Sequence, residues 1–415
     1  MASATIEEEV KAMTAPGPFQ RALLPEGLRD DLPPWAEHEA HMVDRLMSVA
    51  AGRGYRRVAP PLVEFEDSLI TASGQGQGQG QGQSQSRSQS MFRLLDPVSQ
   101  KMMAVRSDMT LQVARIATSR MAGQGRPLRL SYAGHVLRVR GTQLRPARQF
   151  RQAGVELIGS DALEADLEVI ALAAEALTDL GIKGLSVDLV SPTLVPSLAR
   201  QLALDLSTTE AARRALDAKD IAALAGFDKT VRDILTGLMQ AAGSLDSALP
   251  KLERVSLDGQ AARIRDTLVT LARALKERVP DLKITIDPGE CRGFEFHTGV
   301  GFAFFAPHVS GELGRGGRYQ VACPDGGQES AVGFSMYLDS LLRAVPVPVE
   351  HPRIYLPFGT GQEEARRLRS IGWRTVYGLV SVSDPAAAAR AEGCTHLYEH
   401  GVALSLTADD EASEE

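Results

Sequence analysis

The sequence predicts an α+β fold with a mainly antiparallel sheet. Strand-like runs dominate around one long amphipathic helix, helices come in groups rather than alternating regularly with strands, and residues 196–280 lose strand character altogether. Taken in order, WAEHEAHMVDRLMSVAAGR (35–53) carries apolar positions at helical spacing and stops before Gly54. YRRVAPPLVEF follows, and its Pro60-Pro61 pair marks it as a strand at a sheet edge. SGQGQGQGQGQSQSRSQS (73–90) has no apolar residue, and is read as a flexible low-complexity loop, either a slipped repeat or a flap over a pocket. FRLLD and KMMAVRSD pair as a hairpin, and DMTLQVARIATSRMA is helical.

LRLSYAGHVLRV and RQFRQAGVELIG are strands joined by the polar RGTQLRPA, and ADLEVIALAAEALTDLGI is the long amphipathic helix. LSVDLVS returns to strand. After the helical stretch, strand character resumes at LKITIDPG and in CRGFEFHTGVGFAFF (291–305), and GFSMYLDSLLRAV turns from strand into helix. GRGGRY (314–319) reads as a glycine-rich turn. The PVPVEHP linker leads into a small βαβαβ unit and an acidic tail, ADDEASEE, expected to be disordered. The expected division is therefore a core in two parts (1–195 and 281–345), a helical insertion (196–280) and a C-terminal unit (352–407).

With 415 residues, two or three domains are expected. The net charge of −7 gives no global basic field for nucleic acid. Cys291, Cys323 and Cys394 form neither a CxxC pair nor a disulfide framework, in keeping with a reducing cytoplasm. The acidic N-terminus does not resemble a signal peptide, and no apolar run approaches the roughly 18 residues that span a bilayer. A cytoplasmic protein with no membrane contact is expected.

Four groups of residues carry candidate chemistry. Residues 126–151 hold seven arginines and no acid; Arg138 and Arg140, two apart on a strand, would share a face and suit an anion, unless the stretch is simply a solvated basic edge. Gln152 and Glu156 lie four apart on a strand, and a carboxylate in the apolar run AGVELIG is either paired or used. Asp108 and Thr110 sit at a strand-to-helix transition, where they either cap the helix or meet a ligand. Arg292, Phe296 and His297 lie in a segment with five phenylalanines in fifteen residues, although aromatics make up only 5% of the chain.

In order along the chain, GYRRVAPPLVE resembles motif 1 of the class II aminoacyl-tRNA synthetases, HVLRVRGTQLRPARQFRQAGVELIG resembles motif 2, and GELGRGGRY with AVGFSMYLDSLL resembles motif 3. CRGFEFHTG is similar to a signature of the histidyl-tRNA synthetases. The resemblance runs from about Pro25 to Leu342. It implies a histidine pocket: Asp108, Thr110 and Gln152 toward the ligand ammonium, Glu156 toward the imidazole, Arg292 on the carboxylate, Arg138 retained from motif 2, and Phe296 and His297 in place of a tyrosine pair.

The departures fall at the nucleotide end. The motif 2 acid that helps place ATP is Arg140, the motif 3 arginine that clamps the triphosphate is Ser340, and Tyr337 replaces a glycine. Losing one preorganised charged donor costs on the order of a hundred- to a thousand-fold in rate, so efficient adenylate formation is not expected. Residues 351–415 have six arginines, no lysine and ten acids, a balance of −4 that disfavours tRNA. A body that keeps the pocket and loses the clamp resembles the regulatory subunits of ATP phosphoribosyltransferase. That family implies a non-catalytic chain with no cofactor and histidine as effector. It also implies a short-form catalytic subunit as partner and a homodimer within a hetero-oligomer. A divergent, active histidyl-tRNA synthetase is the alternative.

Overall fold

The computed structural model describes residues 24–71, 91–143, 145–291, 293–294, 296–346 and 351–406. The low-complexity stretch 73–90, Arg292 and the acidic tail 408–415 lie outside the described residues. Helix α1 (Trp35–Gly52) buries Met42, Val43, Leu46, Met47 and Ala50 along one face, as its spacing requires. Strand β1 (Arg56–Arg57) is short because Pro60 and Pro61 have no amide hydrogen to continue a ladder. Strands β2 (Val63–Phe65), β3 (Arg93–Leu95) and β4 (Met102–Val105) form an antiparallel sheet in the order β2-β4-β3, with helix α2 (Glu66–Thr71) following β2. Helix α3 (Thr110–Arg115) runs on into a π-helical turn over Ile116–Arg120.

Two ten-residue strands, β5 (Leu128–Leu137) and β6 (Gln149–Ile158), pair antiparallel. Helix α4 (Leu163–Asp179) is buried over most of its circumference, which suits its run of alanine and leucine. Strand β7 (Ser186–Val190) precedes the helical stretch: α5 (Leu194–Gln201), α6 (Leu206–Ala218), α7 (Lys229–Gln240), the two-residue strand β8 (Gly243–Ser244), α8 (Leu245–Arg254) and α9 (Gly259–Arg278). The apolar faces of these helices join the same buried cluster as α1, α4 and one face of the large sheet, and α9 packs on α4 and α5. Strands β9 (Lys283–Asp287), β10 (Gly301–Phe305), β11 (Gly314–Ala322) and β12 (Gln328–Tyr337) complete the sheet, and helix α10 (Leu338–Ala344) follows. The nine-stranded order is β1-β5-β6-β12-β11-β10-β7-β9-β8, antiparallel except for β1/β5 and β7/β9.

The described residues 351–406 belong to a second compact unit. Strands β13 (Arg353–Leu356), β14 (Arg374–Tyr377) and β15 (His396–Glu399) are parallel about β13, with helices α11 (Gln362–Ser370) and α12 (Pro385–Ala391) as crossovers. A fourth strand, β16 (Val402–Ser405), adds antiparallel to β15.

Three local expectations are corrected. GRGGRY is the start of strand β11 and not a turn, because its glycines admit neighbours: a Cβ on Gly316 would lie 2.2 Å from the Gly333 carbonyl oxygen and 2.4 Å from the Phe302 ring. The aromatic segment is strand only over Gly301–Phe305; the described residues before it form turns around Gly293, whose φ of +74° is left-handed. Finally, β5 ends at Leu137, so Arg138 and Arg140 are not on a strand and the shared-face argument for them fails. Among the described residues no helix is long and apolar enough to cross a membrane.

Candidate functional site

Strand pairing builds the site before any side chain is considered. Glu156 lies opposite Gly333, Gly154 opposite Ser335 and Tyr132, and Gln152 opposite Tyr337. With a side-chain period of two, Gln152, Glu156, Tyr132, Ser335 and Tyr337 share the sheet face away from α4, whereas Ala153, Val155 and Leu157 face the main core. Glycines interleave on the site face and leave a hollow of about 260 Å³. A Cβ on Gly333 would stand 1.9 Å from Oε2 of Glu156, and one on Gly154 would stand 2.6 Å from the Tyr132 hydroxyl.

Glu156 sits at the buried end. Tyr132 Oη donates to its Oε1 at 3.1 Å and Tyr319 Oη donates to its Oε2 at 2.8 Å. Burial pushes its carboxyl up to about 8, and the nearby Asp108 charge adds to the rise, while the two tyrosine hydrogen bonds hold it back. A carboxyl in this state can meet a ligand N–H as acceptor, and a cationic ligand group would drive it toward the carboxylate.

Asp108 stands at the other end, where β4 gives way to α3. Its Oδ1 accepts the Thr110 amide at 2.8 Å and its Oδ2 accepts Gln152 Nε2 at 2.8 Å. Asp108 thus orders the start of α3 and also lines the cavity. Met109 N donates to Gln152 Oε1 at 2.9 Å, which fixes the amide orientation and commits both Nε2 hydrogens, one to Asp108 and one to Ser335 Oγ at 2.6 Å.

His297 lines the side wall. Its ring centroid is 4.0 Å from that of Phe296 and 5.3 Å from that of Phe294, and Gly317 makes room for it. Burial pushes its pKa down to about 3, so the imidazole is neutral, and Nδ1 has no hydrogen-bond partner among the described residues.

The outer mouth is built differently. Tyr337 is buried, Arg145 stacks 3.7 Å from its ring centroid, and Arg138 lies 4.9 Å above the Phe150 ring and 5.9 Å from that of Tyr337. Arg145 also lies 3.6 Å from Glu312. Ser340 is wholly buried and accepts from Arg343 at 3.2 Å, and Arg140 is exposed.

Of the residues singled out from sequence, Asp108, Thr110, Glu156, Phe296 and His297 line one cavity. Gln152 braces Asp108 from behind, and Arg138 stacks at the mouth without lining it. Three further residues escaped sequence reading: Tyr132, Tyr319 and Ser335. Tyrosine on an alternating strand reads as ordinary core; only their matching register with Glu156 across three strands brings them to it. The arrangement can hold a small ligand with N–H or cationic groups at two separated ends. Among the described residues no cluster of His, Cys, Asp and Glu could hold a metal ion.

A histidyl-tRNA synthetase family model matches residues 27–341. Over 380 residues the chain is 50% identical to the ATP phosphoribosyltransferase regulatory subunit of Rhodospirillum centenum, covering 92% of this chain and 95% of that one. It is 49% identical to the protein of the same description from Paramagnetospirillum magneticum, covering 91% and 96%. A solved structure described as an ATP phosphoribosyltransferase regulatory subunit/histidyl-tRNA synthetase from Bacillus halodurans superposes with a TM-score of 0.75 at 24% identity, covering 90% and 97%, and supports the fold.

Proposed function

The chain belongs to the family of ATP phosphoribosyltransferase regulatory subunits, with a histidyl-tRNA synthetase-like core, and we propose that it senses free histidine in the cavity between Asp108 and Glu156. In this reading Glu156 takes the imidazole N–H, and Asp108, braced from behind by Gln152, lies toward the α-ammonium. Arg292, by resemblance, takes the carboxylate. The ligand is an effector and not a substrate. It acts on a short-form catalytic subunit, within a cytoplasmic hetero-oligomer built on a homodimer of this chain, without tRNA.

The observation that carries the reading is the contrast between the two ends of the site. The amino-acid end is hollow, with Glu156 satisfied by two tyrosines and ready for one more donor. At the nucleotide end, Tyr337 and Arg145 stack on each other, and Ser340, standing where the resemblance expects a clamping arginine, is buried and out of reach. This supports binding without activation and disfavours an active synthetase. The test is calorimetry of histidine into the purified chain, with pyrophosphate–ATP exchange run beside it. Binding without exchange is expected; no binding, or histidine-dependent exchange at ordinary synthetase rates, would overturn the proposal.

A further inference from the structure

The two acidic ends of the cavity are joined through one amide and two hydroxyls. Ser335 Oγ accepts from Gln152 Nε2 at 2.6 Å and lies 3.0 Å from Tyr132 Oη. Because Gln152 spends its other amide hydrogen on Asp108 Oδ2, and Tyr132 donates to Glu156 Oε1, an unbroken chain runs Asp108–Gln152–Ser335–Tyr132–Glu156. Gln152, Ser335, Tyr132 and Glu156 are buried and Asp108 is half-buried, which strengthens the bonds and lets each group polarise the next. The chain also has a direction. Met109 N pins the Gln152 carbonyl oxygen, so the amide must donate to Ser335, and the Ser335 proton is left free to be donated to Tyr132 Oη. Tyr132 then has its own proton to give to Glu156. Thr110 Oγ1, 3.5 Å from Ser335 Oγ and 3.4 Å from Tyr132 Oη, is the weaker competitor for that proton.

We infer that Ser335 is a positioning residue that makes Asp108 and Glu156 recognise one ligand as a unit. A ligand group that fixes Glu156 as the carboxylate draws the Tyr132 proton toward it, and Tyr132 then accepts from Ser335. The Ser335 oxygen becomes a better acceptor for Gln152, and the amide that braces Asp108 is held harder. Recognition at one end thereby prepares the other. A ligand with groups for both ends gains from this, and one that fills a single end does not. The ligand half of this inference rests on the proposal that the cavity takes histidine; the network half does not.

The experiment has two arms so that the two can fail separately. In the first, the carboxyl carbon of Glu156 is titrated by NMR in the ligand-free chain, its signal identified by its loss in Glu156→Gln. In Ser335→Ala, Tyr132 loses the donor that polarises it and serves the carboxylate less well. The titration midpoint should rise by about half a pH unit, about threefold in proton affinity. Ser335→Thr keeps the hydroxyl and should keep the midpoint. An unmoved midpoint in Ser335→Ala, or equal movement in both variants, overturns the relay.

In the second arm, histidine binding is measured for Asp108→Asn, Glu156→Gln and the double variant, with Ser335 and with Ser335→Ala. With Ser335 present, the factor lost on Glu156→Gln should be about fivefold larger when Asp108 is intact than when it is replaced. With Ser335→Ala the two factors should be equal. The same coupling in both backgrounds overturns the relay. If the wild-type chain binds no histidine, the ligand proposal falls and the first arm alone decides the relay.

Discussion

Tyr319 donates its hydroxyl proton to Oε2 of Glu156 at 2.8 Å, with both side chains buried and carried by β11 and β6, the two strands that flank β12. The pair explains how a carboxyl can stand in an apolar face at all: it costs several kcal/mol to strand a charge there unpaired, and here each oxygen has a tyrosine donor. It also gives the site its pH behaviour.

Glu156 titrates near 8 in the folded chain, well above the ordinary value of 4.5 for a glutamate, because of burial. The native state therefore holds more protons than the unfolded state between those values. The group's contribution to stability is fully present below about pH 4.5 and is lost as pH rises through 8. His297 has the opposite sign. Its pKa falls from 6.5 to about 3, so its contribution is present above about pH 6.5 and is lost as pH falls through 3. Urea denaturation across this range should show Glu156→Gln flattening the decline above pH 6.5, and His297→Phe flattening the decline below 4.5. Parallel curves for variant and wild type would show that these groups are not buried as described.

Gly333→Ala should abolish ligand binding and cost about 1–3 kcal/mol of stability, because the new methyl would lie 1.9 Å from Glu156 Oε2 and 2.5 Å from the Val155 carbonyl oxygen. Calorimetry and denaturation of this variant check both parts. Wild-type histidine affinity in Gly333→Ala would place the ligand elsewhere.

The distribution of what was legible in the sequence has physical causes. Glu156 was legible because a carboxylate in AGVELIG contradicts its surroundings. Strands β5 and β6, the long helix α4 and the C-terminal alternation were legible because their apolar periods are unbroken. Strand β11 was not, since three of the six residues in GRGGRY are glycines, which read as a turn when the partner strands that need them are unseen. Tyr132, Tyr319 and Ser335 were missed for a related reason: each is unremarkable on its own strand, and only register assembles them. Arg138 and Arg140 misled because the strand ends at Leu137, just before both.

At the outer mouth, the stack of Arg145 on the buried Tyr337 predicts that Tyr337→Leu, which loses the ring and leaves a smaller side chain, should destabilise the chain by about 1–3 kcal/mol. It should not create ATP-dependent activation of histidine, because Ser340 and Arg140 remain. Exchange assays on Tyr337→Leu that yield ordinary synthetase rates would contradict the non-catalytic reading.

The most direct test of the central claim is the activity of a short-form ATP phosphoribosyltransferase mixed with this chain and titrated with histidine, with wild type and Glu156→Gln compared. Losing a charged hydrogen bond in a dry site costs about 1.5–3 kcal/mol, roughly ten- to a hundredfold in affinity. The account predicts that the wild-type complex is more active than the catalytic subunit alone and that histidine inhibits it. The Glu156→Gln complex should assemble equally well but need at least about tenfold more histidine for the same inhibition. Superimposable inhibition curves for the two complexes would contradict it.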